Sequence, residues 1–415
     1  MEKILSSKSI NNYSIYLICF VPISLVMGPL IAEINMFIIN ALFIFSIIKN
    51  KEYIFFRNNY FYLFLVAWIY LIILSLISYF VLFSLKSSFF FLRFGIFYLA
   101  LCYFFSKSEE NFQYKKKAPI ILFFFIILLL FDAVFQKFFN SNLLGQTPAS
   151  NRISSFFGDE LVLGGYIARL LPTIFAIFYF FKIEKIIKLL PLIWIISIIV
   201  VIFSGEKAGF AQMIISTFLI IIFSARSIKI KIYSILTTML LIIGLFYSAP
   251  NLQKRLVKDY IYNTHGGKYL YSIMHNRHFS TAIRMFYSKP FLGYGPKNFR
   301  NHCADKKFYS GEWSCSTHPH NIYLQLLSET GIIFFSLIIF IFFYSSFKLL
   351  LLFKERFLYK EKDHLYNFKL FSTVGVFINL FPLSTSGNFF NNWFSIILFF
   401  VFSFFLISNR NTKYL

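Results

Sequence analysis

Uninterrupted apolar runs recur along this chain, and their length decides what it can fold into. Most are about 17–25 residues long, the reach a helix needs to cross about 30 Å of hydrocarbon. They fall at about 13–31, 34–48, 60–84, 88–106, 118–137, 161–181, 187–204, 208–225, 230–248, 320–347, 368–386 and 392–408, all near the spanning length. The runs are continuous and show no alternation, which predicts helices rather than a closed barrel. A composition that is 58% hydrophobic and 22% aromatic lies outside the range of water-soluble domains. The expected fold is an all-α polytopic membrane protein of about 12 transmembrane helices, with a large, mainly helical loop between the ninth and tenth. We treat residues 1–415 as one integral membrane domain into which residues 250–319 are inserted as a loop subdomain. The first run lacks a small-residue cleavage pattern and a second follows at once, so it reads as a retained helix.

A net charge of +23 would suggest nucleic acid in a soluble protein. Here the basic residues sort by position. Lys49, Lys51 and Arg57 share one link, Lys107 and Lys115 to Lys117 the next, then Lys182, Lys185 and Lys188, then Arg226, Lys229 and Lys231, then Lys348 through Lys369. These links alternate with short, weakly charged ones, the pattern of cytoplasmic loops. Both termini are expected inside and the 250–319 loop outside. No nucleic-acid motif is present, and none is expected as a partner.

That loop breaks the pattern. From 250 to 318 it holds eleven Lys or Arg against three acids, a net of +8. Long loops translocate largely regardless of charge, so the topology stands. Solvated lysines explain such a surface, and so does attraction of an anionic ligand or lipid phosphate. Six of the seven histidines also lie between His265 and His320. Cys303 and Cys315 share the loop twelve positions apart, where disulfides persist, and are expected to be bridged. Metal ligation with His302 or His318 is the rival, but no paired Cys-x2-Cys spacing supports it. Cys19 and Cys102 fall in apolar runs and read as buried.

Two places in the chain invite chemistry. Glu206 and Lys207 stand between two long runs with no room for a loop, and a charge at membrane depth costs about 2.5–3.5 kcal/mol. Lys207 either serves a function there or snorkels to the interface, pairing with Glu206. His320 opens the tenth run, and an imidazole titrating near neutrality is suited to take a proton from an attacking hydroxyl. A lone interfacial histidine is more often structural. His318, Asn321 and Gln325 stand beside it, and Asn321 and Gln325 share a helix face that meets Asn388 and Asn392 only if those helices are neighbours. Glu329, deeper in the run, is expected to pair with a basic residue or a backbone dipole. Asp159 and Glu160 either orient sugar hydroxyls or pair with Arg152.

His320-Asn321-x-x-Leu324 leading into Leu327-x-Glu329-Thr330-Gly331 resembles the O-antigen ligase and O-antigen polymerase superfamily of bacterial membrane glycosyltransferases. Pro290-x-x-Gly293-x-Gly295-Pro296-x-Asn298-Phe299-Arg300 is similar to the stretch that precedes it in that family. Ser204-Gly205-x-Lys207 is similar to its Ser-Gly-x-Arg element, and Arg152 through Glu160 to its Arg-x-x-Ser/Gly-x-Phe-Gly element. The likeness covers roughly 150–395. It implies a GT-C-like fold and an inverting transferase at the periplasmic face of the inner membrane, using no metal and no cofactor. Its donor is a glycan on undecaprenyl diphosphate, its acceptor a sugar hydroxyl of lipid A-core or another glycan, and its surroundings are membrane lipids.

Carried across, the resemblance makes His320 the catalytic base and Lys207 a diphosphate contact where the family more often has Arg. The family's second basic position falls on His275, with Phe279 where it has Trp. Arg277, Arg152 and Arg284 are the alternatives for that contact. His318, Asn321, Glu329, Arg284 and Arg300 are candidates for positioning substrate. Repeat-unit polymerisation uses similar residues with a different acceptor. A flippase or transporter would need ionisable groups within several helices at the midplane, where only Arg93, Arg169 and Glu329 stand out.

Overall fold

The computed structural model describes residues 7–107, 116–148, 152–248, 253–357 and 363–409. Lys115, Asn151, residues 250–252 of the loop, residues 358–362 of the last lysine-rich link and both termini lie outside the described residues.

The expected apolar runs are helical over most of their length, the one expected over 368–386 ending at Asn379, and no strand occurs among the described residues. The helices are α1 (Ser7–Met27), α2 (Pro29–Asn50), α3 (Asn59–Leu76), α4 (Val81–Phe89), α5 (Leu92–Ser106), α6 (Lys117–Phe139), α7 (Leu163–Phe180), α8 (Leu190–Ser204), α9 (Lys207–Phe223), α10 (Ile228–Ser248), α11 (Ile273–Ser288), α12 (Ile322–Glu355), α13 (His364–Asn379) and α14 (Asn392–Asn409). Nine spans among the described residues are long and apolar enough to cross a membrane, counting α4 and α5 as one, while α8 and α9 are shorter apolar helices. The chain is a polytopic helical membrane protein. The third expected run is shorter than anticipated. It stops at Leu76, and α4 turns Ser84 and Ser88 inward, where Ser84 donates to Ser75 at 3.0 Å and Ser88 lies 2.5 Å from Ser75.

Side-chain hydrogen bonds fall into two sets that mark the two ends of the bundle. At one end, Tyr166 donates to Pro22 O, Trp393 to Leu25 O, Arg93 to Glu33 and Asn392, Arg152 to Ser204 O and Tyr271 to Leu383 O. At the other, Asn11 donates to Lys107 O, Lys107 pairs with Glu52, His364 with Glu184, and Tyr366 binds Phe223 O. The second set lies among the lysine-bearing links. The first surrounds the 253–320 segment, and we call its end the loop end.

α7 is the hub, packing against α8, α9, α13 and α14. Apolar surface gives little drive for helix association inside a membrane, so close backbone approach matters. Gly209 of α9 provides it: a Cβ there would stand 2.7 Å from the Gly164 carbonyl carbon.

The 253–320 segment has a small core of Ala282, Met285, Tyr294, Phe299, Cys303 and Phe308, tied by the expected Cys303–Cys315 disulfide. It docks on a break in α12, where Gly331 adopts φ 69°. A Cβ on Gly331 would overlap the Phe291 carbonyl. The broken turn's backbone groups are taken up again: Tyr294 N donates to Ser328 O, Gly295 N to Glu329 O, Ile332 N to Pro290 O, and the Tyr70 hydroxyl to Thr330 O. Such re-satisfaction is what permits irregular backbone at membrane depth.

Candidate active site

Two groups of residues meet at the loop end. The first is a cluster of four imidazoles. Ser272 caps α11, its hydroxyl accepting from His275 N at 3.3 Å and lying 2.6 Å from His275 Nδ1. His275 and His278 then share one face at i, i+3. Opposite them the chain runs through His318, Pro319 and His320 before α12 begins. His320 does not open the helix, as the sequence suggested. It precedes it with φ 58°, and Asn321 is the N-cap, its side-chain oxygen accepting from Tyr323 N and Leu324 N. A left-handed backbone at a histidine is uncommon, and such strain persists where the surroundings fix it. Here Ser386 N donates to His320 O at 2.9 Å.

The His320 ring centroid lies 4.2 Å from that of His318, 5.3 Å from His278 and 5.4 Å from His275. Burial, with the neighbouring imidazoles His318, His275 and His278, pushes His320 down to about 3. Burial likewise takes His318 to about 4, aided by the positive field of Arg300 and against the pull of its contact with Ser386 O. His275 and His278 are lowered as well, both first by burial. The resting cluster is therefore neutral. Among the described residues, no group of three or more His, Cys, Asp or Glu is arranged to hold a metal ion.

These directions fix a pH response. An unfolded chain binds a histidine proton below about pH 6.5, whereas folded His318 and His320 bind theirs only near 4 and 3. Between those limits the unfolded state holds more protons, so stability falls as pH drops from about 6.5. Thermal melts from pH 7.5 to 4.5 should show that decline, with His318→Gln flattening it. An equal slope in the variant would mean other groups carry the effect.

The second group surrounds the turn between α8 and α9. Gly205 closes α8 with φ 65°. Glu206 does not pair with Lys207. Its carboxylate accepts from Gly164 N at 2.7 Å and Gly165 N at 2.9 Å, at the N-terminus of α7, where the helix dipole favours an anion. Lys207 is exposed, and its Nζ lies 5.4 Å from the Tyr260 ring centroid, on the side of the loop segment. Arg152 donates from Nε to Ser204 O at 2.7 Å and feels the Glu206 charge.

A short segment, 382–386, joins the two groups. Gln212 of the Lys207 helix donates to Ser384 Oγ at 2.8 Å, and Arg169 reaches Thr385 O at 3.4 Å. Ser386 N holds His320 O, Ser386 O lies 3.2 Å from His318 Nε2, and Asn321 donates to Pro382 O at 2.8 Å. Arg169, 6% exposed on α7, also lies close enough to Glu206 to interact with it electrostatically. Gln212, Arg169 and His278 were not among the expected site residues. Arg169 signalled itself as a charge inside an apolar run, and His275-x-x-His278 as a helical pair.

Other expectations resolve differently. Arg277 and Arg284 are not brought to the imidazoles, because they lie on the other stripe of α11. Arg277 donates to Glu312 O and Arg284 to Tyr309 O, bracing the 309–312 turn. Glu329 is wholly buried and feels the charges of Arg300 and Lys297, but the ion pairs among the described residues do not include it. It accepts from Lys297 N and Phe299 N at 3.0 Å and from Gln325 at 2.9 Å, so it holds the 290–300 strap. Gln325 does meet Asn388, at 3.0 Å, while Asn392 goes to Arg93. Arg300 is exposed, 5.8 Å from the Phe83 ring centroid.

Residues 192–341 match the family model described as O-Antigen ligase. That stretch, a little over a third of the chain, is similar to the O-antigen ligase family and supports the ligase and polymerase superfamily that the sequence resembles. The matched stretch runs from α8 past the break in α12 and contains Lys207, His275 and His320. Arg152 and the 382–386 segment lie outside it. None of the curated proteins matches the chain. The match supports a glycosyltransferase-type enzyme in general.

Proposed function

We propose that this protein transfers a glycan from undecaprenyl diphosphate to a sugar hydroxyl of lipid A-core, at the periplasmic face of the bacterial inner membrane. The observation that carries the reading is the attachment of both the Lys207 helix and His320 to one segment, 382–386. Lysine-rich links gathered at the opposite end support the orientation, with both termini on the cytoplasmic side.

In this mechanism the acceptor oxygen attacks the anomeric carbon while the imidazole of His320 takes its proton. The bond from that carbon to the diphosphate oxygen breaks, and undecaprenyl diphosphate leaves with the electron pair. A single displacement inverts the anomeric centre. A diphosphate is already a good leaving group, so the protein's task is to place the hydroxyl and meet growing charge. Lys207, supported by Arg152, supplies that charge without a metal. His275 is the second diphosphate contact, gaining its proton only when an anion sits against it.

Lys is a point charge and not a fork. Lys207→Arg should therefore keep transfer within a few-fold, while Lys207→Ala should lose about 10-fold or more, chiefly in donor KM. Equal loss from both, in a membrane assay with labelled donor, would argue against simple phosphate binding. The lipopolysaccharide gel of a deletion strain tests the reaction itself. Bare core with glycan stranded on its carrier supports ligation. Core capped by a single repeat would replace that reading with polymerisation.

A further inference from the structure

The end of the bundle opposite the imidazoles holds a cavity of about 370 Å³ between α10 and the ends of α7, α8, α9 and α13. Its lining changes character with depth. Arg226, Lys231 and Ser234 lie near the α9–α10 link, whereas Trp194, Leu241 and Phe371 line the interior. From Lys231 to Leu241 the groove follows α10 for about 15 Å. None of the apolar window of α10 is buried, so this wall of the groove meets the bilayer sideways.

The polar end is positive. Lys231 Nζ and Arg356 Nη1 both donate to the one carbonyl of Ile222, each at 2.8 Å, at the C-terminus of α9. The ion pairs among the described residues include neither of them, nor Glu355 beside Arg356, and Glu184 at the same end of the bundle pairs with His364 at 2.8 Å. A basic recess between helices, continuous with an apolar groove, matches a molecule with an anionic head and a hydrocarbon tail. Free phosphate would leave the apolar interior unfilled.

We propose that this groove binds an anionic phospholipid of the adjoining leaflet, its phosphate against Arg226 and Lys231 and an acyl chain along α10 between Trp194 and Leu241. Arg356 adds to the field through the shared Ile222 carbonyl. The site is separate from the transferase centre and does not depend on the function proposed above.

The test uses the purified full chain in neutral detergent, titrated with phosphatidylglycerol, with phosphatidylcholine, or with inorganic phosphate. Phosphatidylglycerol should raise the thermal midpoint by about 2 °C or more, as a ligand of the folded state does. The other two should not. Arg226→Gln, at an exposed position, should remove the rise from the polar end, and Thr238→Trp should remove it by filling the groove. Native mass spectrometry should show one retained anionic lipid in the parent and none in either variant. An equal rise with phosphatidylcholine, a full rise with inorganic phosphate, or an undiminished rise in both variants would overturn the proposal.

Discussion

His320→Asn should insert and fold like the parent and transfer glycan about 10²–10⁴-fold more slowly, the usual worth of a general base. Asparagine is the appropriate replacement because position 320 has φ 58°. Asn tolerates that conformation, whereas Ala, like any residue with a Cβ and no local side-chain hydrogen bond, bears its cost of about 1–2 kcal/mol without relief. The hydrogen bond from Ser386 N goes to the backbone carbonyl and survives the change. The parent's pH dependence sharpens the test. With His320 held near 3 by its surroundings, the imidazole is already an acceptor at pH 5, so kcat/KM should show no acid limb near 6.5. Full transfer by His320→Asn would remove His320 as the base, whereas an acid limb at 6.5 would mean that its imidazole titrates at the ordinary histidine value. As a companion, His275→Arg places a permanent charge at the second contact and should tighten donor binding.

Glu329→Ala should cost the most stability of any single change near the site. Three donors converge on this carboxylate, Lys297 N, Phe299 N and the Gln325 amide, inside a site with no exposed surface. Each donor left unpaired costs about 1–3 kcal/mol. Together they should release the 290–300 strap from α12, with early proteolysis in that strap and a depressed thermal midpoint. Glu329→Gln keeps an acceptor oxygen and should lose less. If Glu329→Ala melts normally yet transfers nothing, the residue meets substrate and not backbone.

What the sequence disclosed and what it withheld divide along the range of the interactions. Continuous apolar runs predict helices because hydrocarbon offers the backbone no other partner, and those runs are helical here. Cys303 and Cys315 were readable from spacing and place alone. His320 and Lys207 stood out as titratable or charged groups against an apolar background, and their neighbourhood carried the family motif. The face of α11 that meets His320 was not readable. Arg277 and His278 are adjacent in sequence, and only the fit of the 308–312 turn against Thr281 assigns the imidazole inward and the guanidinium outward. A backbone partner for Glu329 was one of two expectations, but which amides supply it was hidden, since two of its three donors are main-chain groups thirty residues away that any sequence would supply. The 382–386 segment was hidden at the end of the run expected over 368–386, because its role lies largely in main-chain groups.

The broken turn at Gly331 has a mechanical consequence. Main-chain bonds fasten the loop segment to α12 on both sides of the break, so span and cap tilt as one rigid wall. By contrast α10 has no buried apolar window to anchor it. Within one membrane domain, the span that carries the cap is braced and the span before it is held by little more than its link to α9.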